Sequence, residues 1–189
     1  MQDLKPNEQR SQNAILLIWI ALAMNCISLI SSYFQYDLLQ TVANGGEIST
    51  EAVTSNDNRE QAIGIIQLIV FVVSAITFIQ WFRRAYFNLH LRVNHLSHSE
   101  GWAAGCWFVP IVNLFRPYQI MKEMFQATHF FLKRNNVHTR EHLSTSSLSL
   151  WWTFWIIDCF VGRFALKYSM KADTIDELTT STIAQLISN

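Results

Sequence analysis

Gly101–Gln119, GWAAGCWFVPIVNLFRPYQ, decides how the chain is threaded. The stretch is apolar and aromatic, yet Pro110, Asn113 and Pro117 interrupt it. Trp102–Phe115 offers 14 uncharged residues, short of the roughly 20 that a helix needs to cross about 30 Å of hydrocarbon. A helix carried straight through Pro110 loses a hydrogen bond and crowds the preceding turn, at about 3 kcal/mol. Broken backbone at membrane depth is tolerated only where protein covers it. The stretch therefore reads as a re-entrant or interfacial element over 102–116, and Pro117 suits the first turn of a new helix.

Moving outward, the apolar residues sit in long blocks rather than being spread as in a soluble core. Ala14–Phe34 and Ala62–Phe82 are each 21 residues without a charge. Leu148–Leu166 is a third apolar block, opened by Trp151, Trp152 and Trp155. The expected fold is all-α: one membrane domain over 1–189, with spans at about 14–36, 62–82 and 148–168 and a fourth missing or incomplete, since Thr180–Asn189 only begins to look apolar. Asn44-Gly45-Gly46 should stop the first helix. Asn56 or Asp57 should cap the second, whose pattern runs on to about Asn94. Met1–Asn13 reads as a short polar tail. Ile120, Met121, Met124, Phe125, Thr128, Phe131 and Leu132 mark one face of a helix over 117–134. Gln119, Lys122, Glu123, Gln126, His129 and Lys133 mark the other, as in an amphipathic surface helix.

Net charge is zero, so nothing suggests nucleic acid; its distribution is more telling. Arg83–Ser147 holds eight Lys and Arg against three acids, while Gln35–Gln61 holds Arg59 against five acids. Basic loops stay cytoplasmic. The N-terminus and the 83–147 segment are thus expected inside a bacterial inner membrane, with 35–61 outside. Cys26, Cys106 and Cys159 lie in apolar segments and form no disulfide framework. Ala23-Met24-Asn25-Cys26 resembles a lipoprotein cleavage box, but Asn25 stands where a small residue belongs, so the first block is kept as a retained helix.

Asp158 and Arg163 are ionisable residues inside a span, where each costs roughly 3 kcal/mol and needs protein, water or a partner. Arg84 or Arg116 are candidate partners for Asp158, with a transport or proton-relay role as the alternative. Arg83, Arg84, Arg92, Arg116 and Lys122, interleaved with Trp81, Trp107 and Tyr118, suggest a basic rim for anionic lipid headgroups, against ordinary positive-inside anchoring. Asn88, Pro110 and Asn113 complete the candidate polar cluster. His90, His95 and His98 are weak metal candidates, because their spacing is loose and no cysteine joins them. No nucleophile–base grouping or phosphate loop is present, and no cofactor is expected.

Phe78-Ile79-Gln80-Trp81-Phe82-Arg83-Arg84-Ala85-Tyr86-Phe87-Asn88-Leu89, Glu100-Gly101-Trp102, Trp107–Gln119 and Trp151-Trp152 resemble a family of bacterial multi-spanning membrane proteins classed as a domain of unknown function. The resemblance covers about 62–163. It implies a four-span helical membrane protein, whose members usually continue into a last hydrophobic span, and it brings no activity. The expected function is a binding or scaffold subunit of a membrane assembly, with a membrane-protein partner or a second copy. The alternative is a small transporter or lipid-handling protein using Asp158 and Arg163; a membrane enzyme is the third reading.

Overall fold

Backbone geometry at Asn44-Gly45-Gly46 ends the first long helix, α1 (Glu8–Ala43). Gly45 sits at φ 79°, which an L side chain enters only at a cost. Its N–H reaches the Val42 carbonyl at 2.9 Å, and the Gly46 N–H reaches the Thr41 carbonyl at 2.9 Å. These crossed bonds satisfy carbonyls that a helix end leaves open.

The computed structural model describes residues 3–137, 145–169 and 183. Among them there is no strand, and α1 is followed by α2 (Thr50–His90), α3 (Trp102–Gly105), a 3-10 turn (Val112–Leu114), α4 (Arg116–Arg134) and α5 (Thr145–Ser169). Residues 138–144, with His138 and His142, lie outside the described residues, as do Asp173–Glu177 and, apart from Ile183, Thr180–Asn189.

Helix α2 begins two turns earlier than Asn56 or Asp57. Ser49 caps it, its Oγ accepting the Ala52 N–H at 3.2 Å, and Asn56 is instead a buried residue within the helix. A run of charges in the first turns had masked this start, because a solvated helix face and a loop have the same composition. The helix also stops at His90, short of Asn94. The N–H groups of Leu91 to Val93 turn back onto Asn88 and Leu89, and His95 takes φ 77°.

Helices α1 and α2 are long and apolar enough to cross a membrane, yet only 17% of the apolar window of α1 and none of that of α2 is buried. A core helix of a water-soluble protein would bury most of such a stripe. Here Trp19, Leu68, Ile69 and Phe71 are all exposed, apolar area that water opposes at about 25 cal/mol per Å².

The chain divides into two compact units, one of Met1–Ile15 and Ala75–Ile156, the other of Leu16–Ser74 and Ile157–Asn189. In the second unit, Ser28, Ser31 and Ser32 are buried on α1, small side chains that let helices approach closely. Ser31 Oγ accepts from Arg59 Nε at 2.8 Å and donates to Glu60. Arg59 also bonds Asn56 Oδ1 at 2.6 Å. These bonds satisfy the polar groups where α1 and α2 meet.

In the first unit, Phe82 and Tyr86, four apart on α2, are fully buried among Ala103, Cys106, Ile120, Met121 and Leu148. Trp107 sits among Phe78, Phe82, Trp152 and Trp155, with every ring centroid within 6.4 Å. The central stretch is broken, as Pro110 requires: one helical turn at α3, then the 3-10 turn, with Ile111 at φ 69° between them. A β-branched residue there is strained. Trp152 Nε1–H donates to the Leu114 carbonyl at 3.0 Å, holding the break against α5.

Candidate functional site

The aromatic-basic motif of α2 divides by helix geometry. Phe82, Tyr86 and Leu89 lie at i, i+4 and i+7 and face the core. Arg83, Arg84 and Phe87 fall between them and line a pocket of about 190 Å³ with Lys5, Arg10, Gln80 and Glu100. Four basic side chains against one carboxylate give it a net charge of +3. Arg83 stands 4.0 Å from Glu100, and the Lys5 ammonium sits 4.1 Å over the Phe87 ring, a cation–π contact.

Lys5 and Arg10 are held there by backbone bonds. Asn88 Nδ2 donates to the Lys5 carbonyl at 2.8 Å, while the Lys5 N–H donates to Asn88 Oδ1 at 3.0 Å. Asn7 Nδ2 reaches the Trp81 carbonyl at 3.3 Å, and Arg10 Nη1 reaches that of Gln80 at 3.3 Å. The polar start of the chain is thus a docked strap rather than a tail, and Asn88 fastens it.

The remaining members of the expected rim go elsewhere. Arg116 Nη1 donates to His98 Nε2, with its guanidinium 5.7 Å over Trp102 and 5.8 Å over Phe115. Lys122 lies 5.9 Å over Tyr118, whose hydroxyl bonds Ser149 at 2.9 Å. Trp107 belongs to the aromatic core, and Pro110 and Asn113 shape the break, the Asn113 N–H bonding the Val109 carbonyl at 3.0 Å.

Beside Arg116 lies a polar hub that the sequence did not reveal. Glu123, assigned to the outer face of α4, turns inward. Its Oε2 accepts the Tyr86 hydroxyl at 2.7 Å and its Oε1 accepts the Ser97 N–H at 2.6 Å. A guanidinium can only donate, so His98 Nε2 is the lone-pair nitrogen. His98 Nδ1 is 3.6 Å from Glu123, too far for a hydrogen bond. His90 packs edge-on to Tyr86, with centroids 4.7 Å apart. Among the described residues no group of three His, Cys, Asp or Glu side chains could hold a metal.

Burial, then the hydrogen bond and charge of Glu123, raise the Tyr86 hydroxyl well above its ordinary range. For Glu123 burial acts upward, but the Tyr86 and Ser97 hydrogen bonds outweigh it and hold the carboxyl below its usual 4.5. The depressed acid stabilises fully above about pH 4.5 and loses that contribution as pH falls through its folded value. The raised phenol stabilises fully below about pH 10 and loses it as pH rises through its own. The unfolding temperature of Glu123→Gln should therefore lose much of the wild type's fall between pH 5 and pH 3 (windows set by about 4.5). An unchanged acid profile would refute this role for Glu123.

In the second unit Asp158 lines a cleft of about 440 Å³ with Asn25, Gln67, Ser74 and Gly162 among others. Asp158 is in none of the ion pairs between permanently charged side chains found among the described residues, which join Arg59–Glu60 and Arg83–Glu100. Arg163 is exposed on α5 and is not among the residues lining the cleft.

A family model described as Domain of unknown function (DUF4328) matches residues 44–189. The chain belongs to this family. No curated protein and no solved structure matches it. The DUF4328 match takes in α2, the broken stretch, α4 and α5, whereas Lys5 and Arg10 precede it. Half of the basic side chains of the pocket thus come from outside the matched region.

Sequence reasoning had singled out Arg83, Arg84 and Asn88 but missed Lys5, Arg10 and Glu123. For Asn25, Gln67 and Ser74 a signal existed: polar side chains in the interior of two charge-free blocks.

Proposed function

We propose that this chain is an integral membrane protein that binds the phosphate of an anionic lipid headgroup, with Lys5, Arg10, Arg83 and Arg84 as the recognising side chains. The single observation that carries it is the pocket's net charge of +3. Its volume equals that of about six waters, enough to admit a phosphate group. Trp81 precedes the arginine pair and the exposed apolar face of α2 precedes Trp81, the order of side chains at a cytoplasmic membrane boundary.

In this reading α1, α2 and α5 span a bacterial inner membrane, the 83–147 segment and the strap are cytoplasmic, and 102–116 enters the lipid from that side without crossing. The near-complete exposure of Phe108 and Ile111, 76% and 75%, on either side of Pro110 supports an apolar tip facing lipid. Helix α4 then lies along the surface. A membrane-protein partner or a second copy would sit on this frame in a binding or scaffold role.

The test is native mass spectrometry of the protein purified in mild detergent and offered phosphatidylglycerol and phosphatidylcholine in equal amounts. Wild type should retain phosphatidylglycerol. At roughly 1 kcal/mol per basic residue, Arg83→Ala with Arg84→Ala should weaken retention by about 30-fold. Equal retention of both lipids, or no loss in the double variant, would sink the proposal.

A second reading, passage of a small solute, is favoured by one observation: the cleft that reaches Asp158 between apolar helices.

A further inference from the structure

We infer that the cleft formed by Asn25, Gln67, Ser74 and Asp158 binds a monovalent cation, either an alkali ion or a protonated amine. This rests on the proposed reading of α1, α2 and α5 as spans, and on the second reading only for the question of passage. The argument begins with charge. Among the described residues, one carboxylate lines the cleft and no Lys or Arg does. A lone carboxylate among membrane-spanning helices is costly unless a positive charge answers it. A single negative charge is matched by a single positive one, whereas calcium and magnesium sites assemble more oxygen ligands and usually more carboxylates.

The donor set agrees. Asn25, Gln67, Ser74 and Asp158 each present oxygen, Met24 adds one thioether, and among the described residues no imidazole or thiolate lines the cleft. Oxygen donors suit hard cations and ammonium groups, not the softer transition metals. The bonds these side chains make with the protein are long. Gln67 Nε2 meets Asn25 Oδ1 at 3.4 Å, and Ser74 Oγ meets the Leu17 carbonyl at 3.5 Å. Both lie at the weak end of the range, so a cation can replace them at little cost. The Gln67 carbonyl oxygen takes no part in the first and stays available as a ligand.

Space completes the case. Gly162 follows Asp158 by one helical turn and lines the same cleft, and a Cβ added there would meet nothing within 4 Å. A glycine at this position keeps the volume open beside the carboxylate. Arg163, about 100° further round the helix, does not share that face.

The experiment follows the unfolding temperature of the purified full chain in detergent as sodium, potassium or methylammonium chloride is added. Magnesium chloride at matched ionic strength, a divalent ion that a single carboxylate does not match, controls for screening. A cation that binds only the folded state raises the temperature along a saturating curve. Wild type should respond to at least one of the three and not to the control. Asp158→Asn should lose the response, Asp158→Glu should keep a weaker one, and Gly162→Leu, which crowds the carboxylate but retains it, should weaken it.

A response to sodium or potassium alone identifies an alkali ion, and a response to methylammonium alone identifies an amine. No response, or one shared by the control and by Asp158→Asn, overturns the inference. Flux into vesicles separates the two readings. Binding without flux removes passage and leaves the cation site standing, whereas flux unaffected by Asp158→Asn removes the site and leaves passage.

Discussion

Glu123→Ala is expected to speed maleimide labelling of Cys106 by about a hundredfold. Cys106 is fully buried in the core of the first unit, so its thiol reacts only when that core opens. Replacing Cys26 and Cys159 by serine makes it the reporter. Alanine at 123 strips the Tyr86 hydroxyl and the Ser97 N–H of a charged acceptor. A hydrogen bond to a charged group contributes about 1.5–3 kcal/mol; on its loss the Tyr86 hydroxyl keeps only the His98 carbonyl, 3.1 Å away, and the Ser97 N–H turns to water. A total loss near 3 kcal/mol corresponds to about two powers of ten in the open population. Glu123→Gln, which keeps one acceptor oxygen and puts an NH2 group where the other stood, should fall between. If alanine labels at the wild-type rate, the hub contributes nothing to closing the core.

Trp152→Ala should lower stability by about 3–5 kcal/mol, the range for removing a large buried aromatic. Trp152 stacks on Trp155 at 4.5 Å, packs against Trp107 and Tyr118, and donates to the Leu114 carbonyl. The two contributions are separable. Trp152→Phe keeps most of the packing and removes the donor, so it should cost about 1 kcal/mol through that one bond. The check is thermal unfolding in detergent alongside chymotrypsin cleavage after Phe115, which adjoins the 3-10 turn. Cleavage should accelerate in both variants, since both release Leu114. Faster cleavage in the alanine variant only would mean that the indole acts by bulk alone.

Much of the fold was legible because local rules and tertiary packing agree there. Asn44-Gly45-Gly46 ends α1 as its composition foretold, Pro117 stands at the head of α4, and Asn135-Asn136 follows its close. Pro110 breaks the central stretch. The misread boundaries have a common cause: polar residues on an exposed helix and in a loop look alike, so the Ser49 cap was overlooked in favour of Asn56.

At the site, Arg83 and Arg84 were visible because their neighbours set a helical face. Lys5 and Arg10 were not, since nothing local ties them to Asn88. Glu123 misled because the 3.6-residue period placed it beside Lys122 and Gln126, while the Tyr86 hydroxyl that draws it inward is 37 positions away.

The reciprocal pair between Lys5 and Asn88 also has a bearing on biogenesis. Its two halves are 83 positions apart. At a synthesis rate of about 5–20 residues per second, the earlier half emerges roughly 4–17 seconds before the later one can receive it. If the chain is inserted into a bilayer as proposed above, insertion during that delay proceeds without the clasp, and the cationic strap is free to engage anionic lipid on its own. Closure of the clasp would then mark the moment at which the ribosome has delivered the second helix.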